Sequence, residues 1–139
     1  MSGLRTVREV MSENVTTLDV NDDLTIADDV MRLGRIRHMP IVDEDGTIQG
    51  ILSQRDMFRG ALARTLGYGQ HAQQRLLGTL RVKDVMTNDP TTIGPDDLLS
   101  EAAKRLYQQK IGCLIVVEND KIVGILTESD FVQLFMSRE

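Results

Sequence analysis

Ile48-Gln49-Gly50-Ile51-Leu52-Ser53-Gln54-Arg55-Asp56 returns later in the chain as Ile122-Val123-Gly124-Ile125-Leu126-Thr127-Glu128-Ser129-Asp130. A long string repeated in order marks a fold built from two copies of one unit. The repeat extends on the N-terminal side. Val7-Arg8-Glu9-Val10-Met11-Ser12 returns as Val82-Lys83-Asp84-Val85-Met86-Thr87, and Thr16-Thr17-Leu18 as Thr91-Thr92-Ile93. The second copy lacks an equivalent of Gly46, so its spacing is one residue shorter. Most of the other aligned pairs keep their polarity.

Each copy carries the same order of patterns. A short amphipathic turn (Val7, Val10, Met11) leads to an extended piece, Val15 to Leu18. A helical period follows, with Leu24, Ala27, Val30 and Met31 in the first copy and Leu99, Ala102, Ala103 and Leu106 in the second. Asp22 and Asp97 stand just upstream, where a carboxylate favours a helix N-terminus. Two apolar runs joined by a tight polar turn come next: Met39 to Val42 and Ile48 to Leu52 around Glu44-Asp45-Gly46, then Cys113 to Val117 and Ile122 to Leu126 around Asn119-Asp120. Such runs predict hairpins. A second helix is expected from near Asp56 and near Asp130. The predicted fold is mixed α/β: tandem β-α-β-β-α repeats packed about a pseudo-two-fold axis. One such unit of about 60 residues buries too little surface to stand alone. The expected organisation is residues 1–66 for the first repeat, 67–80 for an inter-repeat segment and 81–139 for the second repeat. Gly67-Tyr68-Gly69 breaks that middle stretch into a helix, a turn and a short helix.

Composition narrows the function. The 139 residues are 41% hydrophobic and 27% charged, as in ordinary globular proteins. The net charge is −5, which argues against a general nucleic-acid surface. Aromatic residues are only 4%, with no Trp, too few for a single-strand stacking platform. One cysteine, Cys113, excludes an internal disulfide and a cysteine-based zinc site. No window is apolar enough for a membrane span, and residues 1–8 hold no signal-peptide stretch. A soluble protein of the reducing cytoplasm is expected. His71 has no partner at metal-ligand spacing, and Asp22, Asp23, Asp28 and Asp29 read as a solvated helix start. No metal site, catalytic residue or required cofactor is predicted, since no constellation of nucleophile and base, phosphate loop or zinc motif occurs.

Two motifs remain that can carry chemistry. The first is the twin Gly-h-h-[Ser/Thr]-x-x-Asp, Gly50 to Asp56 and Gly124 to Asp130, where h is aliphatic. Its plain reading is a capping box, with Ser53 or Thr127 at the N-cap and Asp56 or Asp130 three residues on. Its functional reading is a strand ending at a helix N-terminus. Free N–H groups and a hydroxyl there suit a phosphate, and the carboxylate suits vicinal ribose hydroxyls. Both readings fit one place. The second motif is Arg35-Ile36-Arg37-His38-Met39-Pro40. It reads either as a helix C-terminus with cations that suit the dipole, or as a phosphate contact through Arg37 with His38 as a pH-sensitive contributor. The second copy has Ile111-Gly112-Cys113-Leu114 there and has lost the cations. Cys113 itself reads as a small core residue.

These residues carry a family resemblance. Asp84-Val85-Met86-Thr87, Arg37-His38-Met39-Pro40-Ile41-Val42-Asp43 and Gly-Ile-Leu-[Ser/Thr]-x-x-Asp in both copies resemble the CBS domain, and the tandem resembles a CBS-domain pair (Bateman module). The match runs from about Val7 to Ala61 and from Val82 to Met136. The resemblance implies a regulatory, non-enzymatic module that binds adenine nucleotides (AMP, ADP or ATP) as regulatory ligands between the repeats and forms homodimers. NAD and S-adenosylmethionine are the alternative ligands. Carried over by position, one cleft would use Asp130 for ribose and Thr127 for phosphate, with Thr16, Ile36 and His38 around the base and Arg37 near phosphate. The other would use Asp56 and Ser53, with Thr91, Ile111 and Cys113 around the base and Arg55 adding charge. Ile115 stands where the first copy has Pro40, and Gly112 where it has Arg37, which favours the cleft with Arg37 and Asp130. With no further domain in the sequence, the output is expected to pass to a separate effector protein. A ligand-free dimerisation scaffold is the competing expectation.

Overall fold

The computed structural model describes residues 5–57, 59 and 77–137. Gly67-Tyr68-Gly69, the 66/67 boundary and His71 lie outside the described residues. The expected mixed α/β fold of two repeats is observed. The chain divides into two compact units, and their boundaries cut across the sequence repeats. One runs from Thr16 to Asp89. The other joins the opening segment, through Val15, to the stretch from Pro90 onward.

In the unit from Thr16 to Asp89, β1 (Leu18–Asp19) lies parallel to β2 (His38–Val42), and β3 (Ile48–Ser53) pairs antiparallel with β2. Helix α1 (Leu24–Gly34) bridges β1 and β2. Its Leu24, Ala27 and Met31 recur at helical spacing and are buried, so they form the face that meets the core. The expected period includes Val30, which is only partly buried at the core's edge. The helix starts at Asp23, whose Oδ1 accepts the Ile26 N–H at 3.0 Å, and ends at Arg35 in the left-handed region (φ 55°). Asp22, expected at this cap, instead accepts the Asp19 N–H at 2.9 Å and ties the turn before the helix. Asp97 does the same in the second repeat, accepting from Gly94 N at 2.8 Å. Residues 54–57 are helical. Helix α2 (Val82–Val85) follows, and β4 (Thr87–Asn88) adds an antiparallel edge to β3. The sheet order is β1-β2-β3-β4.

The other unit repeats this plan. Strand β5 (Thr92–Ile93) is parallel to β6 (Cys113–Glu118), and β7 (Lys121–Thr127) is antiparallel to β6. Helix α3 (Leu99–Gln109) bridges β5 and β6, and α4 (Glu128–Ser137) follows β7. Asn119 and Asp120 both have positive φ (52° and 64°), the conformation of a two-residue hairpin turn. The first hairpin uses a longer turn, with Gly46 at φ 80° and Asp43 accepting the N–H groups of Asp45 and Thr47. That difference is the missing residue of the second copy.

The two cores are closed by segments from the opposite copy. Val82, from the second opening motif, is fully buried with Leu24, Met39, Ile41 and Leu52. Val7, from the first, is fully buried with Leu114, Val116 and Leu126. Burying one such side chain contributes about 1.5–3 kcal/mol. The backbone bonds match too: Val82 N donates to Asp22 O at 2.8 Å, and Val7 N to Asp97 O at 3.0 Å. Thr87 pairs with Ile51, and Ser12 with Ile125. Arg8 reinforces this contact from outside, with ion pairs to Asp96 (3.4 Å) and Glu118 (2.9 Å) that hold its guanidinium pKa above the ordinary value. These pairs are exposed, so salt screens them.

This packing accounts for the glycine of the repeated motif. A Cβ on Gly50 would lie 2.6 Å from the Thr87 carbonyl oxygen, and one on Gly124 would lie 2.5 Å from Met11 Sδ. Gly50→Ala is expected to destabilise the protein by about 1–3 kcal/mol, read as a lower urea midpoint. Gly124→Ala costs less, because the end of the Met11 side chain yields more readily than a backbone oxygen. Equal stability of Gly50→Ala and the parent would refute the close approach.

Candidate functional site

Each repeat ends its hairpin at one corner, where a strand turns into a helix. At the first, Ser53 Oγ accepts the Asp56 N–H at 2.9 Å and Asp56 Oδ2 accepts the Ser53 N–H at 3.1 Å. The capping box is complete. At the second, Asp130 Oδ2 accepts the Thr127 N–H at 2.8 Å, while Thr127 Oγ1 bonds Ser129 Oγ at 2.8 Å. Thr127 Oγ1 is also 3.4 Å from Asp130 Oδ2. Capping therefore engages one carboxylate oxygen. An ionised carboxylate offers about four lone-pair sites, so acceptor capacity remains for a ligand.

The rest of each corner comes from the neighbouring strand. His38 lies opposite Ser53 in the β2–β3 ladder, and Cys113 lies opposite Thr127 in β6–β7. Gln54 N donates to Arg37 O at 2.8 Å, which sets Arg37 beside the helix start. Arg37 and Arg55 are exposed, His38 and Asp56 half-buried. Gly112 and Ser129 take the places of the two arginines in the second repeat. One corner is thus rich in cations and the other has none of these side chains.

The remaining predicted residues sit at strand and helix ends. Thr16 is exposed, two residues before β1. Ile36 is half-buried against the core, its N–H bonded to Met31 O at 3.0 Å. Thr91 accepts the Ile115 N–H on its carbonyl at 3.1 Å, and its hydroxyl reaches Gln109 Oε1 at 3.5 Å. Ile111 is half-buried against the other core. Within the unit from Thr16 to Asp89, the fold brings Arg37, His38, Ser53 and Asp56 to one corner. In the other unit it brings Cys113, Thr127 and Asp130 together.

Two residues of these corners are absent from the sequence-based set. Ser12 Oγ donates to Asp130 Oδ1 at 3.3 Å, and Thr87 Oγ1 donates to Asp56 Oδ2 at 3.3 Å. They end the twin Val-x-x-Val-Met-[Ser/Thr] strings, so the repeat held the signal. No group of acidic, His or Cys side chains fit to hold a metal occurs among the described residues. No helix among the described residues is long and apolar enough to cross a membrane.

A family model for the CBS domain matches residues 7–62 and again 82–137. The chain belongs to the CBS domain family. Among CBS relatives, a CBS domain-containing protein of Dictyostelium discoideum is 27% identical over 131 residues, covering 94% of this chain and 90% of that protein. The chain spans less of other relatives: 43% of an uncharacterized Methanocaldococcus jannaschii protein and 24% of a homoserine O-acetyltransferase of Methanococcoides burtonii, at 28% and 29% identity over 94% and 92% of this chain. Solved structures similar to this chain include CBS proteins with bound ligands. The CBS domain pair of protein MJ0100, in complex with 5′-methylthioadenosine and S-adenosyl-L-methionine, is 26% identical, with a TM-score of 0.79 over 94% of this chain and 99% of that one. CBSX2 in complex with AMP is 25% identical, with a TM-score of 0.76 over 96% and 97%.

Cys113 is buried, and burial pushes its thiol pKa from 9.0 up to about 12. Folding thus holds the proton. That contribution to stability is complete below about pH 9 and is lost as pH rises towards 12. A Cys113→Ala variant should lack this loss, differing from the parent by up to about 1.4 kcal/mol per pH unit across the window. A thiol reagent at pH 8 should react only on unfolding. Fast labelling of the folded protein would contradict the burial.

Proposed function

We propose that this CBS domain pair is a non-enzymatic regulatory module whose ligand is an adenine nucleotide. The observation that carries the reading is the twin corner: a helix N-terminus, a hydroxyl and a carboxylate one turn on, present in both repeats. The N–H groups and helix dipole suit a phosphate, and a carboxylate with lone pairs to spare suits two ribose hydroxyls. The adenine-containing ligands of CBSX2 and of the MJ0100 pair support it.

One binding event draws on Asp130, Thr127, Thr16, Ile36, Arg37 and His38, and the other on Asp56, Ser53, Arg55, Thr91, Ile111 and Cys113. The ligand is AMP, ADP or ATP, with NAD and S-adenosylmethionine as alternatives. The module works in the cytoplasm as a homodimer and signals to a separate effector protein. For signalling, the ligand must bind two states of the module unequally. Exposed Val132, Phe135 and Met136 on α4 support self-association. Phe135→Glu is expected to shift a dimer towards monomer in light scattering; an unchanged mass would exclude α4 from the interface.

Thermal melts and calorimetric titrations with all five ligands test the function. At a hundredfold excess over Kd, a ligand adds about 2.7 kcal/mol to stability. Asp130→Ala should abolish or weaken one event by ten- to a hundredfold, on the order expected for lost bonds to a charged group. Arg37→Ala should weaken that same event and leave the event lost in Asp56→Ala intact. If no ligand raises the midpoint, the nucleotide reading fails. If Arg37→Ala and Asp130→Ala affect different events, the residue sets fail.

A further inference from the structure

We infer that Ser12 and Thr87 are positioning residues for the ribose-binding carboxylates, so that the opening segment of each repeat sets the affinity of the carboxylate in the other repeat. The inference rests on the nucleotide reading above and adds residues that reading does not contain. Two independent copies of the sequence arrive at the same arrangement. The hydroxyl after Val-Met, Ser12 or Thr87, reaches Asp130 or Asp56 at 3.3 Å in each case.

The backbone beneath each hydroxyl is fixed. Ser12 and Ile125 exchange two backbone bonds, at 2.9 and 3.0 Å. Thr87 pairs with Ile51 at the edge of the sheet. Adjacent Met11 and Met86 press on Gly124 and Gly50, leaving no room for a Cβ there. Each hydroxyl is thus held by rigid strand pairing and is itself exposed.

The bonds orient the carboxylate plane. Asp130 is held from two sides, by Thr127 N on Oδ2 and by Ser12 Oγ on Oδ1. Rotation about its last side-chain bond would break one or the other. Asp56 takes both bonds on Oδ2, so Thr87 restrains the same oxygen as the cap and governs rotation less. At 3.3 Å both hydroxyl bonds exceed the ~2.7–2.8 Å of a relaxed O–H···O contact. They are weak enough to leave lone pairs accessible to ribose hydroxyls, and close enough to define where the oxygens stand. Ser12 should therefore matter more than Thr87.

The test is calorimetry on the full chain with AMP and with 2′,3′-dideoxy-AMP, which lacks the hydroxyls a carboxylate would bind. At the event lost in Asp130→Ala, Ser12→Ala should weaken AMP by about three- to tenfold, the worth of one hydrogen bond, and leave the dideoxy ligand unchanged. Ser12→Thr should restore AMP binding. If Ser12→Ala weakens both ligands by the same factor, the residue is merely structural and the inference falls. An unchanged AMP affinity in Ser12→Ala also overturns it. A parent that binds no nucleotide overturns the nucleotide reading itself, and the inference with it. Should Ser12→Ala fail to fold, Thr87→Val, with Thr87→Ser as its rescue, makes the same comparison at the Asp56 event, with a smaller expected loss.

Discussion

The pairing of each opening motif with the third strand of the opposite repeat is the constraint on which the rest depends. It places Val7 and Val82 in cores that their own sequence copies do not build. It adds a fourth strand to one sheet and a bridge to the other. It also requires glycine at positions 50 and 124, because a segment crosses the strand there too closely for a side chain. The swap makes the two repeats interdependent: neither hairpin has a covered third strand without the other copy's N-terminal residues. Small units gain from such sharing, since each alone has little apolar area to bury.

The same corners show how an arrangement that caps a helix can leave acceptor groups to spare. Ser53 with Asp56, and Thr127 with Asp130, satisfy amide groups at a helix start. Those groups would otherwise go without partners in the first turn. The capping bonds consume part of each carboxylate's acceptor capacity and leave the rest. Chemical difference between the corners comes from the residue just before the hairpin and from the helical turn that follows it. Arg37 and Arg55 give one corner exposed positive charge, and Gly112 and Ser129 take it away from the other.

Much of this was legible in the sequence because the repeat presents each signal twice. The hairpins, the helices with Leu24, Ala27 and Met31 or Leu99, Ala102 and Leu106 inward, and the capping box of Ser53 and Asp56 follow from short-range patterns; at the second corner only the Asp130 arm of the box forms, because the Thr127 hydroxyl bonds Ser129 instead. Cys113 reads as a core residue and is one. The exchange of opening segments was not legible, because Val7 and Val82 look alike and nothing local says which core each enters. That choice is made by long-range packing. Ser12 and Thr87 escaped for the same reason: a hydroxyl at the end of a turn has no local mark of the carboxylate it meets. Asp22 was placed at a cap by its position, and the competing Asp23 took that role because its side chain faces the Ile26 amide.

Native-state hydrogen exchange at the amides of Ser12 and Ile125 tests the exchanged architecture most directly. Their mutual bonds belong to the unit that holds Leu126 and Val116. The account predicts that both amides are protected nearly as strongly as those of β6 and β7, and that all open together with the same dependence on denaturant. A Ser12 amide that exchanges at the rate of an exposed turn while β6 stays protected would contradict it.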